Sequence, residues 1–167
     1  MQFYSQIGQD RWVCETSGYK KKGTWVDIGC GDPYYINNTY VLEKKLEWSG
    51  ISIDSDPNLS LKWINSDRNF KNFICKDAMA INYLALFESN RLPLIIDYLS
   101  LDLEPPMTTF KVLTLLPFHL YKFRYITFET DVYHNKEVEP LSRLFFENLN
   151  YTFVKNVNQQ DDFWVLK

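Results

Sequence analysis

The stretch "TWVDIGCGDPYYINNTY", residues 24–40, begins as a short apolar run and turns at once into glycine and aspartate. "TWVDI" has the character of a central parallel strand covered on both faces, and Gly29 ends it. In an open parallel sheet, ligands bind beyond the carboxyl ends of the strands, where strand order reverses. Gly29 and Gly31 would let the backbone of that turn approach a ligand, with the N-terminus of a following helix facing the same space.

Outward from this turn the chain alternates helix and strand. Residues 35–48 carry apolar side chains at helical intervals and "ISID" (51–54) is a second strand. Helical patterns at 57–66, 81–88, 108–116 and 136–148 separate strands at 72–78, "DYLSLDLE" (97–104) and "FRYITFET" (123–130). The helix at 136–148 is expected to turn Val138, Leu141, Leu144 and Phe145 inward, with Leu149 just beyond it. "YTFVKNV" and "DDFWVLK" are joined only by "NQQ", too short for a helical crossover, so they should form an antiparallel hairpin. The pattern predicts an α/β, Rossmann-like sheet with parallel central strands and one reversed strand at an edge.

The 167 residues, 46% of them hydrophobic, suit one domain with one sizeable core, spanning residues 1–167. A net charge of -3 argues against a broad basic surface for nucleic acid. Cys14, Cys30 and Cys75 are odd in number and lack the close pairing of a zinc site, so free thiols in a reducing compartment are expected. With no apolar signal region at residue 1 and no membrane span, a cytoplasmic location is the expectation.

The second and third strands also end in acids, Asp54 and Asp77. An acid at the second strand end can accept both ribose hydroxyl hydrogens. One at the third, with the Ala78 amide beside it, can meet an adenine amino group. A dinucleotide turn would require a third glycine, where this chain has Tyr34, and Asp32-Pro33 would sit badly beside a pyrophosphate. S-adenosylmethionine has no phosphate, and Asp27 suits its cationic amino-acid end.

Further segments point to a family. "YSQIGQD" (4–10), "WVDIGCGDP", "NNTYVLEKKLEWSGISIDSDP", "DYLSLDLE" and "ITFETDVY", in this order, resemble the FkbM-like methyltransferases, a branch of the class I S-adenosylmethionine-dependent fold. The resemblance covers nearly the whole chain. It implies that Gly29, Gly31, Asp54, Asp77 and Ala78 bind S-adenosylmethionine, that Gln6 and Asp10 cover the pocket, and that Asn38-Thr39 matches the family's "NT" at the start of the first helix. It also implies O-methylation of a sugar or other small natural product. Pro105 and Thr130 depart from the family pattern where the methyl acceptor should approach, so substrate identity does not transfer.

Methyl transfer to an alcohol needs the acceptor aligned behind the methyl carbon and a group to take its proton. Asp102, Glu104 and Glu129 project from the fourth and fifth strands with Asp131 beyond them, as a general base, a magnesium site or exposed strand ends. Glu104 and Glu129 are the expected proton acceptors, Asp102 the orienting group and His134 the alternative base, ahead of His119. No spacing demands a tightly held metal. A small-molecule or glycan acceptor is expected and nucleic acid is not. Short loops leave little material for a lid, so a second copy of the chain could complete the pocket. The rival readings are a catalytically silent S-adenosylmethionine-binding or assembly protein and, behind it, an NAD-dependent dehydrogenase.

Overall fold

Alternate residues of the central strands face opposite helical layers, and this sets the architecture. The computed structural model describes all 167 residues. In chain order the elements are α1 (Gln9–Thr16), β1 (Thr24–Ile28), α2 (Tyr40–Leu46), β2 (Ser49–Asp54), α3 (Pro57–Ile64), β3 (Phe73–Cys75), α4 (Tyr83–Ser89), β4 (Ile95–Leu101), α5 (Pro106–Leu115), β5 (Lys122–Glu129), α6 (Val138–Asn148), β6 (Tyr151–Val157) and β7 (Asp161–Leu166). They form one seven-stranded sheet in the order β3-β2-β1-β4-β5-β7-β6.

Strands β1 to β5 pair in parallel, and β7 runs antiparallel to both β5 and β6. The reversed strand therefore lies one place in from the edge rather than at it. The hairpin is made after β5, so β7 reaches β5 first and β6 takes the outside. Val26, Ile28, Leu99, Leu101, Ile126 and Phe128 pack beneath α4, α5 and α6. Trp25, Tyr98 and Phe163 pack against α1 and α2 on the other side. Burial of both faces explains why β4 reads as a nearly continuous apolar run.

Three expected elements change. The helix predicted from residue 35 begins at Tyr40, because Asn37 and Asn38 turn their side chains to other partners and the chain has left-handed φ at Ile36. The third strand stops at Cys75, and Asp77 caps a short 3-10 turn by accepting from Met79 N at 2.9 Å. In α6 the buried residues are Val138, Ser142 and Phe146, whereas Leu141 and Leu144 are 40% and 59% exposed.

Candidate functional site

Strand order reverses between β1 and β4, so the crevice lies above their carboxyl ends. The two glycines of the turn do different work there. An added β-carbon on Gly29 would lie 1.6 Å from the Asp102 backbone oxygen, so packing against the neighbouring strand alone already requires glycine here. Gly31, also at left-handed φ, has nothing within 4 Å of that position and faces open space.

Asp54 holds the turn from β2. Its carboxylate accepts from Gly31 N at 3.0 Å and Asp56 N at 3.0 Å, leaving further acceptor capacity on both oxygens. Asn37 and Arg68, which sequence reasoning passed over, clamp the turn from below. Asn37 donates to the carbonyls of Cys30 (3.1 Å) and Asp32 (2.9 Å), and its oxygen accepts from Tyr40 N (2.8 Å) and Arg68 (3.0 Å). The buried Arg68 guanidinium pairs with Glu43 at 2.7 Å, donates to Pro33 O and Thr39 Oγ1, and stacks 4.6 Å above Trp63. Arginine alternating with polar residues on an irregular segment leaves no periodic signal.

Several residues expected at the cofactor also make contacts within the protein. Asp10 is fully buried, accepting from the amides of Tyr4, Ser5 and Arg11 and from Ser5 Oγ, so it folds the opening loop onto α1. Gln6 is exposed, and it is Gln9 that reaches the crevice, donating to Asp161 Oδ2 at 3.1 Å. Asp27 is 1% exposed and accepts from Thr39 Oγ1 at 3.1 Å, sealed beneath the turn instead of standing at the crevice surface. Burial pushes its carboxyl up to about 6. Asn38 donates to Ser100 Oγ at 3.0 Å. Two buried acceptors here, Asp27 Oδ1 and Asn38 Oδ1, have no donor.

The chain bends as soon as β4 ends, so Asp102 and Glu104 do not share a strand face. The bend brings acids together around Glu129. Carboxylate oxygens of Glu104, Glu129 and Asp131 all lie within 4.8 Å of one another. Asp161, opposite Glu129 in the β5–β7 ladder, and Asp102 complete the cluster. Burial, then the charge of Asp102, pushes Glu129 up to about 10, and a hydrogen bond to Asp102 holds the proton on it. Burial likewise raises Asp102, and with Asp102's charge it takes Asp161 to about 7. Burial and the neighbouring carboxylates thus favour the protonated form of Glu129, with Asp102 as the partner sharing that proton, which disfavours Glu129 as the resting proton acceptor. His134 stands exposed at the rim with Nδ1 against Asp131 Oδ2, whereas exposed His119 lies in the turn leading into β5, at the opposite end of the sheet.

This sheet order, with its crevice above β1 and β4 and its C-terminal hairpin, is the Rossmann-like fold of the class I S-adenosylmethionine-dependent methyltransferases. Among solved structures it is shared by a provisionally named rRNA-methylase from Clostridium thermocellum at 15% identity and TM-score 0.61, over 100% of this chain and 98% of that one. M. capricolum TrmK, solved with S-adenosyl-homocysteine, matches at 16% and 0.55 over 92% of this chain, which spans 66% of its length. Human methyltransferase 10 domain containing protein matches at 10% and 0.55, over 99% and 83%. No protein-family profile and no curated protein sequence matches the chain. No helix is long and apolar enough to cross a membrane.

The cofactor implied by this fold fits the residues present. Gly31 leaves an open cradle, Asp54 keeps spare acceptor sites, and the clustered acids Glu104, Glu129 and Asp131 suit a cation. Asp77 is exposed at the end of the third strand segment, with Ala78 buried beside it.

Proposed function

We propose that this chain is an S-adenosylmethionine-dependent O-methyltransferase, FkbM-like in its motifs, acting on a hydroxyl of a sugar or other small natural product. The observation that carries the reading is the carboxylate cluster around Glu129, set beside the open glycine turn. When bound, S-adenosylmethionine supplies a methyl carbon made electrophilic by its sulfonium. Gly31 gives its backbone close access, Asp54 takes the ribose hydroxyls, and Asp77 with Ala78 takes the adenine edge. The acids stabilise positive charge and discourage a phosphate-rich acceptor.

His134 is the proton acceptor in this reading, held by Asp131 at Nδ1, which leaves Nε2 free to take the proton of the acceptor hydroxyl. Glu129, carrying its own proton, donates a hydrogen bond and positions the acceptor. The test is transfer of a labelled methyl group to a panel of methyl glycosides, phenols, aliphatic alcohols and an RNA oligonucleotide. Methylation of a hydroxylated small molecule is expected, with His134→Ala slowing it by about 100-fold or more at unchanged S-adenosylmethionine affinity. Labelling of RNA alone overturns the acceptor assignment, and cofactor binding without transfer to any acceptor favours the silent binding protein.

A further inference from the structure

A cavity of about 380 Å³ lies between β3 and α4 at the edge of the sheet. Ile74 lines it from β3 and Lys76 from just beyond the end of that strand. Asn82, Ala85, Leu86 and Ser89 line it from α4 at the spacing of one helix face, and Ile81 closes the end. The volume falls within the usual range for small-molecule sites, which are mostly apolar with a few polar groups that fix orientation.

The polar groups at this cavity are not equivalent. Asn82 Oδ1 is occupied by Ala85 N at 3.1 Å, and Ser89 Oγ donates back to Leu86 O at 3.0 Å. The neighbouring Asp77 carboxylate is turned to the Met79 amide. Exposed Lys76 has no carboxylate partner within ion-pairing distance, so its ammonium is the one formal charge in a lining otherwise made of Ile74, Ile81, Ala85 and Leu86 with Asn82 and Ser89. An apolar floor with one unpaired cation selects an anionic head on a short apolar tail.

We propose that the cavity between β3 and α4 is a second ligand site, separate from the methyl-transfer crevice, which takes a small amphipathic anion with its head on Lys76 and its tail against Ile74, Ile81 and Leu86. The acids beyond β4 and β5 lie at least three strand positions away, so a molecule in this cavity is not the methyl acceptor, although Asp77 and Ala78 adjoin its Lys76 end.

The test titrates the full chain with decanoate, with decanol and phosphatidylglycerol vesicles as parallel arms, following the methyl resonances of Ile74, Ile81 and Leu86. Saturable shifts confined to these methyls are expected with decanoate. Lys76→Gln should weaken decanoate about tenfold or more and leave decanol unchanged, the signature of a charge-assisted contact. Ala85→Leu, a good helix former on an exposed face, should fill the cavity and remove both responses. The methyl spectrum itself reports whether each variant is folded. Absence of saturable shifts, equal decanoate affinity in wild type and Lys76→Gln, or a response to vesicles without one to free decanoate would each overturn the site.

Discussion

Gly29 and Gly31 look interchangeable in "GCG", yet the space around them differs. A side chain at 29 must displace the Asp102 backbone while holding a left-handed φ of 83°, so Gly29→Ala should cost about 3 kcal/mol or more in denaturant unfolding. Gly31→Ala meets only the backbone penalty and should cost about 1 kcal/mol, with its larger effect on cofactor affinity. Equal losses of stability would refute the distinction. Glu129 gives a second residue-level expectation. Its folded pKa, about 10, lies above the unfolded value near 4.3, so between these limits the folded state binds more protons and stability falls as pH rises. Asp161 at about 7 and Asp27 at about 6 add the same sign over narrower windows. Glu129→Gln should flatten this slope and raise stability at pH 8 by at least one pK unit's worth, about 1.4 kcal/mol. Melts at pH 5 and pH 8 in both proteins decide it.

At the level of elements, α6 tests how far periodicity can be trusted. Phe146 is fully buried among Phe128, Tyr151 and Trp164, so Phe146→Ala should cost about 3 to 5 kcal/mol, whereas Leu144→Gln on the exposed face should stay within about 0.5 kcal/mol. The sequence carries two apolar stripes here, one with Leu141 and Leu144 and one with Val138 and Phe146, and hydrophobicity alone does not say which meets the sheet. The strands were legible because TWVDI, ISID and the segment into Leu101 are short apolar runs ended by glycine or acid. The hairpin was legible because "NQQ" permits nothing longer. The layout of the candidate site was legible in part, as Asp54 and the acids beyond β4 and β5 lie at or just past strand ends, with Gly31 and Asp77 in the turns after β1 and β3. What escaped depends on contacts between distant segments: Arg68 under the glycine turn, Gln9 on Asp161, and burial that seals Asp27 and keeps Glu129 protonated. Sequence spacing names carboxylates, but their proton occupancy comes from the fold around them.

Across the whole molecule, charge is sorted along the strand axis. Lys20, Lys21, Lys22, Lys122 and Arg124 sit at the amino ends of β1 and β5, while Asp54, Asp77, Asp102, Glu104, Glu129, Asp131 and Asp161 gather at the crevice end. A chain of net charge -3 thereby gathers acids at its mouth, and burial, then the repulsion of its neighbours, favours the neutral form of Glu129. A cation placed there removes part of that repulsion and draws the Glu129 pKa down, so binding should expel a proton. S-adenosylmethionine carries the sulfonium charge and S-adenosylhomocysteine does not, which isolates the effect in two ligands of nearly the same shape. Calorimetric titrations at pH 8, repeated in buffers of different ionisation enthalpy, should therefore show more protons released by S-adenosylmethionine than by S-adenosylhomocysteine. The difference should shrink toward pH 5, where Glu129 stays protonated in both complexes, and vanish in Glu129→Gln. Equal proton release by the two ligands in the wild-type protein would place the sulfonium away from Glu129 and remove the cluster from the methyl-transfer site.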